Sequence, residues 1–170
     1  MMAKTTWKKL KIGDVFSIEA NTEDALIGQV LINGITFYMQ VTDIEKRIFD
    51  GSFSQLSASK TLFIGETTDA EFKRENWSIC GNLPIKNDFL RPYHVVWTKP
   101  LGEPDGLVLQ DFERNTIRIA QEGDMEIFGY KTSVSPTNFT TATKSYFEYG
   151  ADHDFGSVDA KRVALRSTLR

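Results

Sequence analysis

Two histidines, one cysteine and a scatter of carboxylates are the groups through which this chain of 170 residues could do chemistry. His94 lies in "YHVVWT" between Tyr93 and Val95. Alternation there predicts a strand, and a satisfied strand histidine is a simpler reading than a general base. His153 stands in "ADHDFG", flanked by Asp152 and Asp154. These are metal-ligand types, but neighbours on an extended chain point to opposite faces, and a structural zinc site takes about four ligands at set spacings. Cys80 has no sequence neighbour that would lower its pKa, so it reads as a spectator thiol. The sequence has no Walker pattern and no G-x-G-x-x-G, and "GEPDG" is a turn. No catalytic residue, metal or cofactor is assigned. A carboxylate-only enzyme remains as an alternative. It requires at least two of Asp14, Asp43, Glu66, Asp69, Asp152 and Asp154 to converge in one pocket with raised pKa values.

One acidic stretch is of interest as a binding face. "GETTDAEFKRENW" carries Glu66, Asp69, Glu71 and Glu75 together with Lys73, Arg74 and Trp77. On a helix, Glu71 and Glu75 lie one turn apart, so these four acids are the candidate partner-binding residues for a basic partner, with an aromatic anchor nearby. The plainer reading is a solvated helix with Trp77 in the core.

The elements that must position these groups are mostly strands. In "KIGDVFSI", Gly13 and Asp14 suit a turn, and Val15, Phe16 and Ile18 suit a half-buried strand. "LIGQVLINGITFYMQV" contains Asn33-Gly34 between apolar runs, which predicts a type I′ hairpin. A two-residue loop would set Val30 against Phe37, Gly28 against Met39 and Leu26 against Val41, with one face in the core and the other half wet. With the strand at 15–19 this makes a three-stranded meander. "KTLFIGE" is a further strand, and short helices are expected over 42–51, capped by Thr42 or Asp43, and over 67–81, capped by Asp69. Residues 82–92 read as loop, 93–98 as a strand, and "LVLQDF" with "TIRIAQ" as a second hairpin. The Ser/Thr-rich 133–145 segment is open between a long loop and an edge region. "SVDAKRVALRSTLR" predicts a terminal helix with Ser157 as cap and Val158, Leu165 and Leu169 on one stripe. The sum is a strand-rich α+β fold: a strongly bent antiparallel sheet or small barrel, short peripheral helices and a C-terminal helix.

Composition sets outer bounds. A chain of this length is expected as a single domain, 1–170, with a core made without staples. Its net charge of −3 offers nucleic acid no overall attraction. Lys4, Lys8, Lys9 and Lys11 crowd one end and Lys161, Arg162, Arg166 and Arg170 the other. A nucleic-acid binder would need these clusters to meet, with Trp7 beside them. Apolar runs such as "VLI" and "LFI" are far too short for a bilayer, the first residues lack a signal-peptide core, and one cysteine builds no disulfide framework. The expectation is a cytoplasmic protein with no membrane or nucleic-acid partner.

The succession "GDVFSI", "LIGQVL", "TFYMQV", "TLFIGE" and "NWSICGNLPI" resembles the immunity protein 26 family of bacterial polymorphic toxin systems. The matching positions include Gly13, Asp14, Phe16, Gly28, Tyr38 and Trp77, spread over a family-like core at 10–120, with Met39 where family members often carry an acid. Residues 121–170 form a C-terminal extension outside the resemblance. What the resemblance implies is a non-enzymatic immunity protein that neutralises a cognate toxin domain by occlusion, with acidic side chains making the contact where that toxin is a cationic nuclease. It also implies that Gly13 and Asp14 belong to a structural turn. A general protein- or ligand-binding β-barrel module is the alternative outside toxin biology.

Overall fold

The computed structural model describes residues 9–86 and 88–169. The fold is α+β. Strands β1 (Asp14–Glu19), β2 (Ala25–Ile32), β3 (Phe37–Glu45), β4 (Thr61–Thr67) and β5 (Trp77–Asn82) form an antiparallel sheet in the order β4-β3-β2-β1-β5. The first three are the expected meander. Strands β6 (His94–Trp97), β7 (Leu107–Gln110) and β8 (Thr116–Ile119) form a second, three-stranded antiparallel sheet. Five helices accompany them among the described residues: α1 (Phe53–Ala58), α2 (Ala70–Lys73), α3 (Asp124–Phe128), α4 (Pro136–Tyr149) and α5 (Ala160–Leu165). The large sheet is open, with β4 and β5 at opposite edges, so the described residues form no closed barrel. No helix among the described residues is long and apolar enough to cross a membrane.

The hairpin register differs from the expected one. Val30 opposes Met39, Gly28 opposes Val41 and Gln29 opposes Gln40. Neither Asn33 nor Gly34 adopts the positive φ that a type I′ turn needs. The Asn33 side chain instead donates to the Leu10 carbonyl, and the loop widens, leaving Ile35 fully exposed. The slip is two residues at Gly28 and Val30 and four at Leu26, which opposes Glu45 across an irregularity; because strand faces repeat every two residues, these residues keep their side. Phe16, Ile18, Leu26, Val30, Phe37, Met39 and Val41 all enter one core cluster.

The opposite face is not half wet. Val15, Ile27 and Ile44 pack under Leu56 of α1, and Leu31, Tyr38 and Ile64 pack against Phe89 and Val163. Gln29 and Gln40 are fully buried between these groups. Their amides are satisfied, as burial requires: Gln40 donates to Gln29 Oε1 at 3.3 Å, and Gln29 Nε2 donates to the Pro84 carbonyl at 2.9 Å. The proline loop is thus the lid over this face.

Two expected helices occur in shortened form, α2 with Asp69 at its N-cap position and α5 in the terminal segment, while the one expected over 42–51 does not. Strand β3 runs on through Glu45, because Asp43 exchanges backbone and side-chain hydrogen bonds with Lys60; only one 3-10 turn follows, at Lys46–Ile48. The helix comes later, at α1, where Ser52 Oγ accepts the Gln55 N–H at 3.1 Å. α2 is a single turn, ended by Glu75 at φ 62°, and Trp77 opens β5 instead of lying on a helix. The Ser/Thr-rich segment is α4, the longest helix described, with Pro136 in its first turn and Gly150 at φ 83° as its stop. Asp159, not Ser157, caps α5; Val158 and Val163 are buried while Leu165 and Leu169 are exposed. Phe139, Ala142, Phe155 and Val158 complete the main core, so the C-terminal extension packs into the sheet.

Candidate functional site

The Gly13-Asp14 turn is stitched between two strand ends. Gly13 takes φ 86°, its N–H donates to the Val30 carbonyl at 2.8 Å, and its carbonyl accepts the Leu83 N–H at 2.9 Å. Asp14 accepts from the Lys11 N–H at 2.7 Å and from Asn82 Nδ2 at 2.9 Å. Phe16 stacks on Trp77 with ring centroids 5.8 Å apart and lies over Gly28, whose missing side chain leaves room for the ring. Trp77 donates from Nε1 to Thr140 Oγ1 at 3.1 Å, tying β5 to α4. Five of the six motif residues therefore frame the sheet, and the sixth, Tyr38, stands at a cleft.

The four candidate acids are not gathered on one face. Asp69 pairs with Lys73 at 2.9 Å. Glu71 is buried and holds Arg74 Nη1 at 3.0 Å and Asn76 Nδ2 at 2.7 Å. Glu75 lies beyond the end of α2, so it shares no helix face with Glu71. Glu66 points into the cleft beside Tyr38, its cross-strand neighbour.

That cleft lies between the two sheets. Tyr38 of β3 and Glu66 of β4 face His94 of β6, and these three line both parts of it. The larger part, about 250 Å³, also takes in Arg166 from the end of α5; the smaller adds Arg114 and Lys131. Glu66 accepts from Thr36 Oγ1, and its two oxygens stand 3.9 Å from Arg114 Nη2 and from Lys131 Nζ. Asp111 also lines the smaller part, with its carboxylate taken by Asn115 at 2.8 and 3.0 Å. Arg166 has no carboxylate within ion-pair distance among the described residues. Burial, then the charges of Arg166 and Lys131, depress the His94 imidazole to about 4, against an opposing pull from Glu66. At neutral pH His94 is therefore uncharged, and its buried Nδ1 has no hydrogen-bond partner among the described residues. Burial, with the Glu66 charge added, also holds the Tyr38 phenol well above its ordinary value. The arrangement is one uncompensated guanidinium, one neutral imidazole and one phenol around a hollow, which suits binding an anion.

The other chemistry-bearing residues are dispersed. His153 stacks on Tyr149 with centroids 4.8 Å apart, while Asp154 reaches Arg162 at 2.5 Å. No group of three or more His, Cys, Asp or Glu among the described residues could hold a metal ion. Cys80 is exposed on β5. Lys9 and Lys11 line a hollow beside Ile12 and Ile79, away from Arg166 in the central cleft, and the positions Lys4, Trp7, Lys8 and Arg170 lie outside the described residues. Comparisons with family models, with curated proteins and with solved structures find no match to the chain.

Proposed function

We propose that the protein binds and neutralises a cognate bacterial toxin domain, as the resemblance to immunity protein 26 implies, and that the toxin docks along β5. The supporting observation is an asymmetry between the sheet's two edges. The β4 edge is covered: Phe63 bridges to Asp159, the Val134 N–H donates to the Glu66 carbonyl at 2.8 Å, and Thr67 Oγ1 donates to the Val134 carbonyl at 2.7 Å. The β5 edge carries no further strand among the described residues, and five of its six residues are exposed. Exposed edge strands are templates for another chain, and proteins normally blunt or cover them. Here Ile12 and Ile79 are 53% and 43% exposed beside the open edge, bordered by Lys9 and Lys11.

Strand addition supplies main-chain hydrogen bonds, and the apolar pair supplies an anchor. Docking by the acidic stretch is disfavoured, because Glu66, Asp69 and Glu71 already have cationic partners within the chain. A toxin segment with acid residues flanking its strand fits Lys9 and Lys11 better. The test is co-expression with the toxin-like domain encoded immediately upstream. Wild type rescues growth and co-purifies with that domain; Ile79→Lys, which places a charge on an already exposed position, loses rescue by tenfold or more with an unchanged unfolding midpoint. A toxic upstream domain that wild type neither binds nor neutralises defeats the reading.

A further inference from the structure

We infer that the cleft between the two sheets is a binding site for a small organic oxyanion, a carboxylate or phosphate monoester carried on a compact apolar body. The site is independent of the β5 edge and of any toxin partner. Three observations converge on it. First, Glu66 is already met by Thr36, Arg114 and Lys131, which leaves Arg166 as a half-buried guanidinium with no carboxylate of its own among the described residues. A planar guanidinium fork matches carboxylate and phosphate oxygens two at a time. Second, His94 Nδ1 is buried and has no partner among the described residues. A buried polar atom without a partner is costly, and a turn of the ring, which lines both parts of the cleft, would present Nδ1 to a ligand oxygen or hydroxyl there.

Third, the hollow is amphipathic: Ile64, Val134 and Val163 lie on its walls with Arg166 at one side. Its volume of about 250 Å³ sits below the usual range for drug-sized ligands, so the body is limited to roughly one aromatic ring. The Tyr38 hydroxyl, held protonated, is a further donor toward an oxyanion.

His94 reports on its own site, since the chain has only one other histidine. Imidazole resonances of the full chain are recorded by NMR while benzoate, phenyl phosphate or benzylammonium is added to millimolar levels. His153→Gln assigns the two rings. Benzoate, phenyl phosphate or both move the His94 resonances saturably and raise its pKa, because an adjacent anion favours the charged ring. Benzylammonium does not. Whichever anion binds more tightly identifies a carboxylate or a phosphate as the natural head group. Arg166→Gln weakens anion binding tenfold or more with His153 unchanged, and Arg166→Lys restores part of it. The proposal is overturned if neither anion moves His94, if benzylammonium binds equally well, or if a folded Arg166→Gln binds as wild type does.

Discussion

Phe16 and Gly28 face each other across β1 and β2, and the phenyl ring fills the space a side chain at position 28 would need. A Cβ on Gly28 would lie 2.6 Å from Phe16 Cζ. Gly28→Ala therefore costs about 1–3 kcal/mol by overpacking, a melting-point drop of roughly 2–4 °C per kcal/mol for a chain of this size. Phe16→Leu combined with Gly28→Ala is less destabilised than the two single effects added. A double-mutant cycle by urea unfolding measures that coupling.

Phe139 of α4 is fully buried against the sheet, and Trp77 meets its ring edge-on with centroids 6.3 Å apart. Phe139→Ala should cost about 3–5 kcal/mol. A loss under about 1 kcal/mol in chemical denaturation would mean that α4 does not complete the core.

Asp124 ties the second sheet to α3. Its carboxylate accepts Arg118 Nη1 at 2.6 Å, Arg118 Nη2 at 2.9 Å and the Gln121 N–H at 2.6 Å, and the Arg118 guanidinium holds its carboxyl below the usual range. A depressed carboxyl stabilises the fold above its unfolded pKa of about 3.9 and loses that contribution as pH falls through the folded value. Asp124→Asn costs about 1–3 kcal/mol at pH about 7. The gap between variant and wild type narrows in urea titrations carried down to pH about 3.

His94 acts in a higher window. Its folded pKa of about 4 lies below the unfolded value of about 6.5, so the unfolded chain takes up the proton first. Stability from this group is present above the unfolded value and is lost as pH falls toward the folded one. His94→Gln flattens the stability profile between those two values. An unchanged slope would show that the imidazole is not held neutral. The titratable groups that line the cleft with it are Glu66, Asp111, Lys131, Arg114, Arg166, Tyr38 and Tyr130.

Strand identity in the first half was legible because the Val/Ile/Phe alternation of β1 to β4 is strong and local. Register was not. Asn33-Gly34 has the turn composition, but Asn33 is used to hold Leu10, a contact 23 residues away that no pattern displays. Helix α4 is hard to see in the sequence because Thr and Ser suppress its apolar periodicity, yet Ser135-Pro136, then Phe139 with Ala142 and Thr143, then Gly150 is a start, a buried stripe and a stop. Strand β5 does not separate from α2 in the sequence because the break at Glu75 rests on a left-handed backbone at a residue type that does not announce it. The cleft was invisible for a different reason. Tyr38, Glu66, His94, Arg114, Lys131 and Arg166 come from six separate segments, and only the topology brings them together.

The order in which the ribosome delivers the chain gives the covering of β4 another meaning. All five strands of the large sheet have been synthesised once Asn82 is made, but Val134, Phe139 and Asp159, which close its edge and finish its core, follow much later. At translation rates of about 5–20 residues per second, the nascent sheet waits several seconds with both borders and an apolar face uncovered. Premature termination anywhere between Asn82 and Phe139 would release a strand-forming fragment prone to self-association.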